Sequence, residues 1–519
     1  KKNHHFDLLF GFTYSRWVKN EFSGSGKGSP SNDIHYVLDG FLTIDESSGY
    51  PIPLQAYRSN SERKMLVSGF GRIAYNYKQK YLTEFTLRKD GSSVFGKDVR
   101  WATFPSVAVG WAYSEENFLK DIWWLSYGKL RASWGRSGQQ FDEAYLALGT
   151  LHIGGSFMGN VGVRPETLSN TRLSWEETDQ YDIGLDLDIF DYRLKLKMDY
   201  YYKYTKSLLY NVKLPGDVYL LDRQWQNVME ISNEGLELEA LIDILRNSAV
   251  KWRAKFNISR NWNRFEKSYT NMDMDGLVIG RSISGIYAYK DEGFVQNEKD
   301  IPVYSDQIGN KNPLYFGNRF NPMRVGMRKL KDMDMNGCID GDDMYYAGSA
   351  LPVAYGGFAN EIKWKGFDLN LLLTYSLGRK IIDMYMKTSL AFDKKFMPIL
   401  TDYRDKTFWQ KPGDETDYPA LEASSSEYTG QYGGLIDSRI ERVNYMRVKQ
   451  LTIGYNLPQN IVSKIHLDGI RVFFTGENLL LWTNYSGLDP EIVNPSTGID
   501  NGGNYPLARK LTLGLTVKF

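Results

Sequence analysis

Apolar and polar residues alternate with a period of two along most of the chain, the pattern of strands whose two faces meet different surroundings. In the closing stretch Leu511, Leu513, Leu515, Val517 and Phe519 share one face, while Lys510, Thr512, Gly514, Thr516 and Lys518 share the other. Ile183, Leu185, Leu187 and Ile189 alternate with Asp182, Gly184, Asp186 and Asp188. Over 193–204, Leu194, Leu196, Met198, Tyr200, Tyr202 and Tyr204 oppose Arg193, Lys195, Lys197, Asp199 and Lys203. Trp252, Ala254, Phe256 and Ile258 likewise oppose Lys251, Arg253, Lys255 and Asn257. The pattern predicts about 14 strands, at 5–19, 64–77, 80–90, 102–114, 125–136, 175–190, 191–205, 232–245, 249–262, 354–364, 366–377, 441–457, 468–482 and 506–519. Most have the roughly 9–11 residues that a tilted strand needs to cross a bilayer. Several exceed the roughly 5–6 residues usual in soluble sheets.

The links between these segments sort by length. Short links follow residues 77, 114, 190, 245, 364 and 457, and long ones follow 19, 90, 136, 205, 262, 377 and 482. Outer-membrane barrels have this asymmetry, with tight periplasmic turns and long external loops. With a periplasmic C-terminus every long link falls outside. The extracellular loops are then expected at 20–63, 137–174, 206–231, 263–353, 378–440 and 483–505. A soluble antiparallel propeller or sandwich is the competing reading, and alternation alone does not exclude it. Such sheets bury the apolar face under a second layer, however, and their loops do not sort by length. A propeller would also repeat roughly every 40–50 residues, and no such repeat is found.

Composition agrees with a transmembrane antiparallel β-barrel. The chain carries 36 Tyr, 26 Phe and 13 Trp, yet it is polar on average. A barrel strand shows only every second side chain to lipid. No stretch approaches the roughly 18 uncharged apolar residues of a transmembrane helix. The 63 basic and 62 acidic residues nearly cancel, which gives no reason to expect a nucleic-acid surface. One cysteine, Cys338, rules out an intrachain disulfide and a multi-cysteine metal site. Phe519 gives the aromatic terminus common in such barrels. Trp111, Tyr113, Trp123, Trp124, Trp175, Trp364, Tyr455 and Trp482 lie near strand ends, where interfacial girdles are expected. Any one of them is as well placed for ordinary packing. The chain opens with Lys1 in strand-like sequence, without a signal peptide, and is expected to be a mature or truncated piece of something longer.

The clearest ligand motif is KDMDMNGCIDGDD at 331–343. Asp332, Asp334 and Asn336 stand at positions 1, 3 and 5 of a twelve-residue loop, with Gly337 at the sharp turn of position 6. Cys338 would offer its backbone carbonyl at position 7, and Asp340 and Asp343 take positions 9 and 12. Hard oxygen ligands at every second residue can wrap one Ca2+. Position 12 is usually Glu, and the shorter Asp makes a bidentate contact harder. A structural role is expected, pinning the 263–353 loop. The alternative is a solvated acidic turn without metal.

Other motifs are weaker. His4 and His5 are adjacent, so on a strand they face opposite ways and read as incidental. No G-x-S-x-G, H-E-x-x-H or Walker A sequence is present. Carboxylates are plentiful, but nothing selects a catalytic pair. The glycines of SGSGKGS at 23–29 precede no helix and read as an external loop.

The run NYMRVKQLTIGYNLPQNIVSKIHLDGIRVFFTGENLLLWTNYSGLDPE at 444–491 resembles the C-terminal signature of SusC/RagA-type TonB-dependent transporters, and YPLARKLTLGLTVKF at 505–519 resembles their last strand. FGRIAYNYKQKYLTEFTLRKDGSSVFG at 70–96, FPSVAVGWAYSEENFL at 104–119 and ALPVAYGGFANEIKWKGFDLNLLLTYSLG at 350–378 are similar to mid-barrel strands of that family. The resemblance implies a 22-stranded, plugged barrel. The chain would hold the last 14 or so of those strands. The plug domain, the first strands and the TonB-coupling segment would lie outside this sequence, in the same or a separate chain. An open sheet of that size exposes two unpaired edges, which lipid does not tolerate. The implied function is TonB-dependent import of oligosaccharides or oligopeptides across the outer membrane, beneath a SusD-like surface lipoprotein acting as a lid. The alternatives from other classes are an outer-membrane barrel enzyme, a surface-binding adhesin and a soluble lectin-like β protein.

Overall fold

The computed structural model describes residues 3–26, 42–44, 51–53, 55–157, 160–215, 221, 223–274, 276–306, 308–317, 321–384, 408–416, 418–420 and 435–519. All fourteen predicted segments are strands. They are β1 (His4–Gly26), β2 (Gln55–Tyr77), β3 (Tyr81–Ser92), β4 (Trp101–Trp111), β5 (Leu125–Gln139), β6 (Glu176–Ile189) and β7 (Leu194–Lys213). There follow β8 (Arg223–Leu245), β9 (Val250–Lys267), β10 (Ala354–Trp364), β11 (Phe367–Asp383), β12 (Ile440–Asn456), β13 (Gly469–Thr483) and β14 (Lys510–Lys518). They succeed one another in chain order along a main sheet of 15 strands; the additional one, Ile499–Asp500, pairs in parallel with the end of β11. No helix among the described residues is long and apolar enough to cross a membrane.

Several strands outrun their apolar alternation. β1 and β2 stay paired from His4↔Tyr77 to Gly26↔Gln55, through the polar run Lys19-Asn20-Glu21 opposite Glu62-Ser61-Asn60. β7 continues to Lys213 and β8 begins at Arg223. The apolar signal stops where one face leaves hydrocarbon, whereas backbone pairing needs no apolar side chain to continue. The expected loops 20–63, 137–174, 206–231 and 378–440 lie in part outside the described residues.

The chain folds as two compact units, one of residues 1–110, 133–181 and 204–230, the other of 111–132, 182–203 and 231–519. In the first unit Phe6 stands opposite Tyr75, Leu8 opposite Ile73 and Phe10 opposite Gly71, so one face of the β1–β2 ladder is apolar. Asp7 lies on the reverse face, 3.9 Å from Arg72, which is 3.8 Å from Glu84. The Phe70 ring covers Gly11, and a Cβ there would run into it. This unit also has a buried cluster of Val94, Phe95, Phe104, Phe141, Leu173 and Trp175. Trp175 is therefore a packing residue and not a girdle residue. Its ring lies 4.5 Å from that of Phe95 and 5.5 Å from that of Phe104, and its Nε1 donates to the Arg100 carbonyl at 3.0 Å.

The second unit shows the two-faced wall most clearly. One row runs Phe367–Tyr455–Val472–Leu515, and the next runs Leu369–Ile453–Phe474–Leu513. One residue along each strand, Asn370, Thr452, Thr475 and Thr512 form a row on the other face, with the Thr452 and Thr475 hydroxyls 2.9 Å apart. Ion pairs share that polar face. Arg131 bridges Asp186 at 3.0 Å and Asp199 at 2.8 Å, Arg253 meets Asp243 at 2.7 Å, and Arg471 meets Asp368 at 2.6 Å. The arginines are partly exposed and the carboxylates largely covered, so these pairs line a polar face whose charges are matched. Trp111, Trp123, Trp124, Trp364 and Trp482 are exposed, as girdle residues should be. The β10–β11 turn has two residues, Lys365 (φ 45°) and Gly366 (φ 87°), the positive-φ pair that matches strand twist in a tight hairpin.

Candidate functional site

The link between β9 and β10 is itself folded. Gly285–Ala288 pairs with Tyr345–Ser349, Asp291–Phe294 with Arg328–Leu330, and Val303–Ser305 with Lys311–Pro313, all antiparallel. Tyr315–Phe316 pairs in parallel with Cys338–Ile339. These pieces enclose a core of Val295, Leu314, Phe316, Met323, Met327, Leu330 and Ile339, closed by Tyr289 and Ile436. Leu330, just before the acidic loop, and Ile339, within it, are buried, so the loop is anchored in this core by its own sequence.

Within the loop, carboxylate oxygens of Asp332, Asp334 and Asp343 lie within 4.8 Å of one another. Asp332 accepts the backbone N–H groups of Met335 at 2.7 Å and Gly337 at 2.8 Å. Asp334 accepts from Asn336 N at 3.1 Å, and Asn336 Oδ1 accepts from Cys338 N at 2.6 Å. Met335 (φ 61°) and Gly337 (φ 86°) make the turn, and a Cβ at Gly337 would collide with the Tyr304 ring. Asp343 is fully buried and accepts from Met333 N at 2.6 Å and Asp340 N at 2.9 Å.

Of the six predicted residues the structure gathers three carboxylates. Asp340 faces a different task, accepting from Asp342 N at 2.9 Å and capping the short 341–343 turn. The Cys338 side chain is buried, and burial with the nearby Asp340 charge pushes its thiol pKa up, which leaves its backbone as the useful donor. Burial also pushes the Asp343 carboxyl up, reinforced by Asp332 and Asp334 and opposed by the Asp340 and Met333 N–H groups. Among the described residues no Lys or Arg forms an ion pair with Asp332, Asp334 or Asp343. A convergent set of hard oxygens lacking a basic partner suits a hard divalent cation.

One site escaped sequence reasoning. The 484–509 link is tied to β11 and β12 by buried charges. Arg447 meets Asp489 and Glu491 at 2.6 Å each, and Lys449 meets Glu491 at 2.7 Å. Arg379, also buried, donates to the backbone carbonyls of Ala350, Pro490, Val493 and Asn494. Alternation could place Arg447 and Arg379 on strands, but it carries no signal for partners some forty or a hundred residues further on. His4 and His5 form no pair: His4 Nδ1 lies 2.9 Å from the Tyr75 hydroxyl, in an aromatic cluster with Tyr77.

Comparison with known proteins agrees with this architecture. Residues 2–518 match the family described as TonB dependent receptor-like, beta-barrel. TonB-dependent receptor P3 of Formosa agariphila is 32% identical over 548 residues, covering 99% of this chain and 51% of the relative. TonB-dependent receptor SusC of Bacteroides thetaiotaomicron is 30% identical over 533 residues, covering 99% of this chain and 48% of the relative. The RagAB peptide transporter structure superposes with a TM-score of 0.77 at 22% identity, covering 100% of this chain and 54% of that one, a likeness of fold. The chain spans about half the length of these proteins. Barrels of this kind reside in the outer membrane and are receptors and transporters, not enzymes. With a wall apolar on one face and charged on the other, and a family match over nearly its whole length, the chain belongs to the TonB dependent receptor-like β-barrel family and is of the SusC/RagA type.

Proposed function

We propose that this chain forms part of the wall of an importer that takes oligosaccharides or oligopeptides across the outer membrane, driven through TonB. The observation that carries the proposal is the wet face of the second unit, where rows of Asp, Arg, Asn and Thr run in register behind rows of Leu, Val and Phe. A polar cargo can exchange hydrogen bonds along such a face without meeting lipid. Relatives named SusC and RagAB, the latter described as a peptide importer, support the nutrient class. The long links face outward, and a SusD-like lipoprotein covers them as a lid. Loops 137–174, 206–231, 378–440 and 483–505 supply the lid and cargo contacts.

The test is uptake by intact cells of labelled oligosaccharides and oligopeptides, with and without the gene and with and without an uncoupler. Loss of uptake in both the deletion and the uncoupled cells is expected. Unchanged uptake of every tested oligomer in the deletion strain would end the proposal.

We further propose that the acidic loop binds Ca2+ as a structural ion, with Asp332, Asp334 and Asp343 as carboxylate ligands. Asn336, the Cys338 carbonyl and Asp340, directly or through water, complete the shell. The convergence of three carboxylates, one of them fully buried, supports this reading. Bound calcium would offset the mutual repulsion of the carboxylates and fix the turn that anchors the 263–353 loop. Calorimetric titration of the metal-stripped protein with Ca2+ tests it, and the absence of saturable binding would refute it.

A further inference from the structure

The apolar face of the second unit is not even. Residues from β5 to β10 surround a shallow depression of about 580 Å³. Leu130, Ile183, Met198, Leu236 and Ile258 line it, and Arg260 is the base among its lining residues. Four of those apolar side chains are well exposed, Ile183 at 61% and Leu236 at 52%. The carboxylates nearby belong to the opposite face: Asp199 pairs with Arg131 across the wet wall, and Glu237 alternates with Leu236 and Leu238.

Arg260 is exposed and forms no ion pair among the described residues. Its guanidinium lies over the Trp262 ring, 4.4 Å from the centroid. From Trp252 to Arg260 is about 26 Å of strand at roughly 3.3 Å per residue, or about 20 Å of height once tilted. Trp252 stands at the start of β9, beside the short β8–β9 turn, so Arg260 lies about 20 Å up a band about 25 Å tall, near its far edge and beside an aromatic of the kind that marks the interface. An apolar hollow capped by an unpaired guanidinium at headgroup depth matches a lipid with an acyl chain below and an anion above. Arginine grips phosphate through a planar fork of donors.

We propose that this depression is a specific lipid site, which seats an acyl chain of the phosphorylated glycolipid of the outer leaflet with its phosphate on Arg260. Only the choice of leaflet rests on the orientation proposed above. A neutral lipid would fill the hollow equally well but would leave the guanidinium without its anion. The hollow thus sets where the chain lies, and Arg260 sets which headgroup stays.

The test places the full-length protein in phosphatidylcholine nanodiscs doped with monophosphoryl lipid A, with its dephosphorylated counterpart, or with phosphatidylglycerol. Retained lipid is counted by native mass spectrometry. Preferential retention of monophosphoryl lipid A is expected. Arg260→Gln should lower it about fivefold, the effect of one interfacial basic residue, and Ile183→Trp, which fills the hollow, should lower it as well. Equal retention of the phosphorylated and dephosphorylated forms, or no loss in Arg260→Gln, would overturn the site. Equal retention of phosphatidylglycerol would overturn the choice of glycolipid. Surface labelling of Ile308→Cys on intact cells reads the orientation separately, since Ile308 is 86% exposed in the β9–β10 link.

Discussion

Arg447 Nη2 lies 2.6 Å from Asp489 Oδ1, and both side chains are only 3% exposed. Asp489 is thus the fully buried of the two counter-charges, Glu491 being the other, that allow a guanidinium to remain buried on β12. Removing one partner of a buried pair strands the other, at a cost of about 3–5 kcal/mol, whereas replacing both by apolar groups is often neutral. Asp489→Ala should therefore release the 484–509 link, seen as lost amide protection there while the distant strands stay protected. Arg447→Met combined with Asp489→Leu should recover most of that protection. Equal protection in the wild type and Asp489→Ala would show that the ion pair does not hold the link.

The acidic loop gives a ligand-linked prediction. If Ca2+ binds the folded loop, free ion at 100 times its dissociation constant stabilises that fold by about 2.7 kcal/mol. Chelation should speed proteolysis within 268–353, and added Ca2+ should reverse it. Asp343→Asn should remove the response, because its carboxylate is the buried member of the trio.

Asp437 gives a pH prediction. Burial opposes its charge, but the Lys290 ammonium at 2.6 Å, the Tyr345 hydroxyl at 2.7 Å and the Asp291 N–H at 3.0 Å outweigh it and hold the carboxyl below the ordinary range. A depressed folded pKa stabilises above the unfolded value of about 3.9, and that stability is lost as pH falls through the lower, folded value. Amide protection at 289–291 and 436–440 should hold at pH 5–7 and decline below about pH 4. In Asp437→Asn the acid step should vanish and protection should be lower at neutral pH. An unaltered profile would remove Asp437 as the cause.

The two faces of β14 should respond oppositely to charge. Leu513 is 79% exposed on the apolar face, and Thr512 sits in the hydroxyl row behind it. Arginine facing lipid costs about 2–4 kcal/mol at the bilayer midplane. Leu513→Arg should therefore lower the folding free energy in vesicles by that order, and Thr512→Arg by much less. Equal losses would mean that the two faces meet the same medium.

The wall was legible because its signal is local. Side chains two residues apart share a surrounding, so Leu511, Leu513, Leu515 and Val517 reveal their face without knowledge of a partner strand. The acidic loop was legible for the same reason, since its ligands lie within twelve residues. Strand length was less so: Asn20 and Glu21, beyond the expected strand end at residue 19, pair with β2 although nothing apolar marks them. Trp175 was ambiguous because the Phe95 and Phe104 that bury it lie more than seventy residues earlier. The Arg447–Asp489 pair was invisible because complementarity over that distance has no periodicity.

The miniature core of the β9–β10 link has a consequence for how such proteins diversify. Among the described residues, Val295, Leu314, Phe316, Met323 and Ile339 pack mostly on one another within that one stretch, with Ile436 and Leu435 contributing from outside it. Its inward core can therefore persist while its outer surface is rewritten, provided that the ties to the wall at Arg379–Ala350 and Asp437–Lys290 are kept. Recognition and containment can then evolve at different speeds within one polypeptide.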